Sequence, residues 1–165
     1  MYSPWQYLER NCLKKNILGV TLARGGSKSI KNKNLTKIKG KPLIYYTLKE
    51  AKKSKHLTNY IVSTDSAKIK NVVKKYKVEV PFIRPKKFSK DNSSSASALK
   101  HALVQCEKFY NKKFDYVIEL MVTNPLKTVV DINNVVKILI KNKSDSVIAV
   151  NQLQDHHPAR IKKNV

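Results

Sequence analysis

The sequence is poor in several residue types. Among its 165 residues there are four glycines, two cysteines and one tryptophan. The acids number 11 against 34 lysines and arginines, for a formal charge of +23. Cys12 and Cys106 lack the spacing of metal ligands, which leaves unpaired thiols in a reduced, intracellular setting. No apolar run approaches the ~20 residues that span a bilayer. Residues 1–16 contain Trp5, Glu9 and Arg10 and have no continuous apolar core of the signal-peptide kind. The expectation is a cytoplasmic, non-membrane protein with an N-terminal extension, 1–16, ahead of one domain, 17–165. A chain of this length buries about 70% of its unfolded surface and needs no covalent staples.

Arginine is scarce as well. Arg10, Arg24, Arg84 and Arg160 are the four in the chain. The other cations are lysines, spread along the chain among many Asn and Ile residues, as a biased composition would produce. Surfaces that read nucleic-acid sequence favour the bidentate fork of arginine. The charge therefore implies salt-sensitive adhesion to polyanions rather than a specific nucleic-acid partner.

What is present is an alternation of strand and helix patterns. Ile17–Leu22 reads as a buried strand. Gly40-Lys41-Pro42 opens a helix, with Pro42 in its first turn and an apolar face of Leu43, Ile44, Thr47, Leu48 and Ala51. Tyr60 to Asp65 is a second strand with polar residues at its end. Ser66 caps a helix carrying Ile69, Val72, Val73 and Tyr76. Val78–Ile83 is a third strand, and 86–94 a polar, serine-rich loop. A helix over 95–110 buries Leu99, Ala102, Leu103 and Cys106. A fourth strand covers 115–121, Asp131 caps a further helix, and Ser146–Val150 is a fifth strand. Near-continuous apolar strands between amphipathic helices predict a Rossmann-like, doubly wound, mostly parallel α/β sheet. Ligands in such folds sit beyond the carboxyl ends of the strands.

The stretch that carries chemistry is Leu22-Ala23-Arg24-Gly25-Gly26-Ser27-Lys28-Ser29-Ile30-Lys31-Asn32-Lys33-Asn34. It is neither a Walker A loop nor a Gly-x-Gly-x-x-Gly turn. A buried strand ending in glycines, a hydroxyl and clustered cations still suits phosphate. Glycine lets backbone amides approach oxygens without a Cβ clash, and Arg24 can fork two of them. A plain basic βα loop is the alternative on these grounds alone. Asp65 and Asp91 fit either contact with the nucleotide or a metal, or a local loop or capping role. His56 reads as an exposed loop residue, His101 as helix packing, and Tyr45 and Tyr46 as packing.

Leu22–Lys28, Lys33-Asn34 and Gly40–Ile44 together resemble the signature of acylneuraminate cytidylyltransferases. The order continues through Val62–Asp65, Arg84-Pro85, Asp91 with Ser94-Ser95, Thr123–Leu126 and His156-His157-Pro158. Relatives in this group activate legionaminic, pseudaminic and, more distantly, Kdo-type sugar acids. The resemblance implies transfer of CMP from CTP to a nonulosonic acid, with release of pyrophosphate. It implies Arg24, Gly25, Gly26, Ser27, Lys28 and Lys33 around the triphosphate, with Arg24 and Lys33 closest to the chemistry. It places Asn34 at the ribose, Arg84 and Ser95 at the cytosine, and Thr123, Asn124 and His157 at the sugar acid. It also implies Mg2+ and a homodimer.

Two departures qualify this picture. Met121 stands where the family has a sugar-binding glutamine, so N-acetylneuraminic acid itself is a poor candidate substrate. Family members also continue past the His-His-Pro segment, into residues expected to supply the dimer contact, much of the sugar pocket and the magnesium-binding aspartates. The expectation is therefore a nucleotide-binding part of such an enzyme. A nucleotide-binding remnant without activity is the first alternative, and a basic nucleic-acid-binding protein the second.

Overall fold

Strand β1, Ile17–Leu22, is the centre of the molecule, with its first five residues buried. The structure is a computed structural model that describes residues 15–150 apart from 27–29, 31 and 91. Strand β1 is followed by a two-stranded antiparallel ribbon, β2 (Lys37–Ile38) and β3 (Lys41–Pro42). Helix α1 then spans Leu43–Ala51, β4 Asn59–Ser63 and α2 Ala67–Lys75. Helix α3 is Ser95–Tyr110, β5 Tyr116–Glu119 and α4 Val129–Lys141. The main sheet has the order β4-β1-β5, and both pairings are parallel.

Helices cover both faces of this sheet. On one face Leu43, Ile44 and Leu48 of α1 and Ile69 and Val73 of α2 pack on Ala23 and Val62. Helix α4 joins the same side, where Val136 meets Ile17 and Ile132 meets Leu120. On the other face Ala102 and Cys106 of α3 pack on Leu18, Val20 and Ile61. A side chain such as Ile44 or Ile61, with no exposed surface, contributes about 1.5–3 kcal/mol by leaving water. The chain leaves β1 towards β4 and returns, through α3, to β5 on its other flank. That reversal makes the carboxyl ends of β1 and β5 the switch point of a doubly wound sheet, as the sequence pattern predicts.

Several sequence expectations change in detail. Val78–Ile83 is not a continuous strand. It touches β4 through two isolated parallel bridges, Ile61 with Glu79 and Thr64 with Ile83, because Pro81 lies between them and lacks a ladder donor. Ser146–Val150 forms no strand. Ile148 and Val150 are 81% and 88% exposed, and a strand pattern without a neighbouring ladder among the described residues gains nothing from extension. Pro42 precedes α1 as its N-cap rather than sitting inside its first turn. Thr128, not Asp131, caps α4, and Asp131 is the returning acid of a capping box. The Ser66 cap on α2 is observed, accepting from the Ile69 amide.

His56 is buried rather than exposed. Its amide donates to Ser54 Oγ at 3.3 Å, and that hydroxyl donates to Asn133 Oδ1 at 2.7 Å, which draws the loop against α4. His101 packs as expected, between the rings of Phe82 and Phe88. Tyr45 likewise packs on Tyr46 and Tyr76. Cys12 and the 1–14 segment lie outside the described residues, as do 151–165.

Candidate active site: a cationic cavity at the switch point

The loop after β1 is held at several points. The Ala23 amide donates to the Ser63 carbonyl at 3.0 Å, which fixes the exit direction from the strand. The Gly25 amide donates to Asp65 Oδ1 at 2.8 Å. A Cβ on Gly25 would lie 2.9 Å from Ser66 Cβ, so the chain passes too close to α2 for a side chain. Among the described residues nothing lies within 4 Å of a Cβ placed on Gly26, which is exposed. Ser27 and Lys28, predicted to complete the phosphate loop, lie outside the described residues.

The return of the loop brings two further candidates into place. Asn32 adopts a left-handed conformation at φ 56°, a conformation asparagine tolerates better than most residues. It leads into a short 3-10 turn, Lys33–Leu35. That turn presents Lys33 to the cavity and buries Asn34, whose Nδ2 donates to the Arg24 carbonyl at 3.0 Å. Arg24, at the start of the loop, thus meets Lys33 and Asn34, at its end, on one wall.

The opposite wall comes from Arg84 and the start of α3. The Arg84 amide donates to the Thr64 carbonyl at 2.8 Å, and its Nε donates to Ser89 Oγ at 3.0 Å. The side chain is buried, and burial lowers its pKa, opposed by the Asp65 charge and assisted by Arg24. Ser94 caps α3 by accepting from the Ser97 amide at 3.2 Å. Ser95, in the first turn, lines the cavity with Ser94. The N-terminal end of a 16-residue helix adds partial positive charge and free amides to that wall.

The third wall follows β5. Glu119, Met121, Val122 and Thr123 all line the cavity, which has a volume of about 300 Å³. Asn124, expected beside Thr123, is exposed and outside the lining. Its carbonyl accepts from Lys127 Nζ at 2.6 Å. The same ammonium donates to the Met121 carbonyl at 2.6 Å and to Thr47 Oγ1 at 2.9 Å. Burial lowers the Lys127 pKa to about 8. Lys127 therefore ties the 121–127 turn to α1. His157 lies outside the described residues.

Sequence reasoning did not single out Glu119, Lys127, Phe88 or Ser89. Glu119 had a signal, being an acid within the apolar run of β5. It is half-buried, burial raises its pKa, and it has no hydrogen-bond or ion-pair partner among the described residues. Asp65, left between two readings, accepts from the loop amide and so shapes the loop. Among the described residues no group of three His, Cys, Asp or Glu side chains could hold a metal ion. Glu119 is the one carboxylate in the described lining, and no step is assigned to the ion.

A parallel, doubly wound sheet with a cationic cavity over its switch point defines an α/β domain of the Rossmann-like class. The family model described as "Cytidylyltransferase" matches residues 18–164. The chain belongs to the cytidylyltransferase family. It is 35% identical over 132 residues to post-translational flagellin modification protein B of Campylobacter coli, covering 80% of this chain and 56% of that protein. It is 33% identical over 132 residues to a pseudaminic acid cytidylyltransferase of Campylobacter jejuni, with the same 80% and 56% coverage. A CMP-N,N'-diacetyllegionaminic acid synthase of Campylobacter jejuni is 36% identical over 109 residues, 66% of this chain and 46% of that one. The chain thus spans about half the length of these curated relatives. Among solved structures, a CMP:2-keto-3-deoxy-manno-octonic acid synthetase complexed with CTP has a TM-score of 0.66 at 19% identity, over 78% of this chain and 49% of the other. That likeness is one of fold. No described helix is long and apolar enough to cross a membrane.

Proposed function

We propose that this chain binds CTP in the switch-point cavity and serves transfer of CMP to a nonulosonic acid. The observation that carries the reading is the convergence of Arg24, Lys33, Asn34, Arg84 and the α3 N-terminus on one cavity. A triphosphate needs several fixed cations and amides in one place, because each phosphate oxygen leaves water only for a comparable donor. Arg24 and Lys33, with the Gly25-Gly26 backbone and with Ser27 and Lys28, would hold the phosphates. Asn34 would meet the ribose, and Arg84 and Ser95 the base. Thr123, Asn124 and His157 would meet the sugar acid. Residues 17–165 would form this nucleotide-binding part, working in the cytoplasm where CTP is made.

In this reading the anomeric hydroxyl oxygen of the sugar acid attacks the α-phosphorus of CTP. A new P–O bond forms, the bond from the α-phosphorus to the bridging oxygen breaks, and pyrophosphate carries away the electron pair. The hydroxyl proton passes to solvent. Arg24 and Lys33 offset the charge that builds on the α-phosphate and leaving group, where each such donor typically contributes about 100- to 1000-fold in rate. The names of the Campylobacter relatives favour pseudaminic or legionaminic acid over N-acetylneuraminic acid, and Met121 in place of an amide donor agrees with that.

The test is pyrophosphate release from CTP with pseudaminic, legionaminic and N-acetylneuraminic acids and magnesium, alongside direct titration with CTP. Release with one of the first two supports the full reading. CTP binding without release from any acid supports the second reading, a nucleotide-binding part that does not turn over alone. Absence of both overturns the assignment.

A further inference from the structure

The cavity lining contains four cations, Arg24, Lys33, Arg84 and Lys90, and one carboxylate, Glu119. Four cations suit a polyphosphate. A carboxylate among them does not, because it repels phosphate and is itself half removed from water. In a chain of such positive charge, most described acids have found partners. Glu50 pairs with Lys53, Glu107 with Lys113 and Asp115 with Lys15. Glu79 accepts from Tyr110, Asp65 from Gly25 and Asp131 from Thr128. Glu119 has no such partner among the described residues, although it lines the same cavity as four cations.

Its place in the sheet explains this. Glu119 is registered opposite Val20 on β5, on the face that α3 covers. Asp65 and the Gly25 amide lie across β1, at the carboxyl end of β4. Glu119 is thus on the flank away from the anchored part of the phosphate loop, in a lining that also contains Leu22, Ala98 and Met121. Burial raises the Glu119 pKa, while burial first, then Asp65 and Arg24, act on Arg84. The two charges line one cavity without an ion pair between them. Apolar Leu22 and Phe88 in the same lining suit the faces of a flat ring.

We propose that Glu119 is a base-specificity residue, whose carboxylate accepts a hydrogen bond from the exocyclic 4-amino group of cytosine. An ionised carboxylate only accepts. It therefore complements the amine of cytosine and opposes the carbonyl that uracil carries at the same position, the pairing by which acids read cytosine N4 in other settings. The ligand amine also relieves the cost of a half-buried charge with no partner. The inference rests on the cavity being the CTP site.

The experiment measures dissociation constants for CTP, UTP and the triphosphate of a cytosine analogue lacking the 4-amino group, on the full chain and on Glu119→Gln. The expected result for the unaltered protein is a preference for CTP over both others of about 10- to 100-fold. In Glu119→Gln that preference falls to within about threefold, because the amide can donate to the uracil carbonyl as well as accept from the amine. A variant that binds and keeps the original preference overturns the proposal. If the variant does not fold, the unaltered protein still decides: equal affinity for CTP and the amine-less analogue overturns it, and a preference for CTP supports it. Absence of binding to any of the three overturns the cavity assignment itself, a result distinct from binding without discrimination.

Discussion

Gly25 and Asp65 are joined by a 2.8 Å hydrogen bond from the glycine amide to the carboxylate, across the gap between β1 and β4. The same glycine passes within 2.9 Å, measured from a built Cβ, of Ser66 at the α2 N-cap. The loop that faces the cavity is therefore positioned by what lies behind it. The two adjacent glycines have different reasons to be glycine. Gly25 is required by the protein's own packing. Gly26 has room for a side chain among the described residues, so their packing does not require glycine there.

Substitution separates these two roles. Gly25→Ala is expected to cost stability, about 1–3 kcal/mol as overpacking against a Cβ that cannot swing away typically does, and to weaken CTP binding with it. Gly26→Ala is expected to leave the denaturation midpoint within error and to lower CTP affinity alone. Urea unfolding and CTP titration of the two variants provide the check. Equal loss of stability in both would contradict the packing asymmetry.

Asp65→Ala removes the acceptor for the Gly25 amide without touching the cavity lining. The loop amides are then expected to exchange hydrogen faster. CTP affinity should fall despite the loss of a negative charge near phosphate. Asp65→Asn, which keeps an acceptor, should retain most of the affinity. A rise in affinity on Asp65→Ala would show that charge rather than loop position dominates at this site.

The outline of the fold was legible because strands and helices here follow apolar periodicity, and the ends of β1 and β4 carry polar residues in a row. The α3 stripe and the Ser66 cap are local signals that tertiary structure preserved. The failures differ in cause. Val78–Ile83 carries its own break, Pro81, between two bridges to β4, whereas Ser146–Val150 has strand composition but no neighbouring ladder among the described residues. Thr128 rather than Asp131 caps α4 because a capping box uses two residues, and the acid alone marks the region, not the cap. The site was legible as far as its motifs run together, at Arg24, Lys33, Asn34 and Arg84. Glu119 and Lys127 were missed because one lies inside a strand and the other after a turn, and their roles appear only when the walls meet.

Cys106 is fully buried on α3, and burial first, then the nearby Glu79 charge, pushes its thiol up to about 12. The thiolate is the reactive form. In a Cys12→Ser background the folded protein is therefore expected to resist thiol reagents at pH 8, and to react within minutes once unfolded in urea. Rapid modification under native conditions would mean that α3 opens locally from the sheet.

Lys127 gives a pH signature of the turn that borders the cavity. Its ammonium is held at about 8 by burial, against the usual 10.5, although its three hydrogen bonds go to the Met121 and Asn124 carbonyls and Thr47. No carboxylate is among these partners. The folded-state value lies below the unfolded one, so between about pH 8 and 10.5 the unfolded chain binds more protons, and stability due to this group rises with pH. Below pH 8 both states are protonated, and the cost of the buried charge is present in full. Lys127→Met removes the titration. The stability difference, wild type minus Lys127→Met, should therefore be constant below pH 7 and should increase between pH 8 and 10. Urea unfolding of both proteins across that range measures it. A difference that stays flat would place the ammonium in contact with solvent. A difference that falls with pH would require an anionic partner for Lys127.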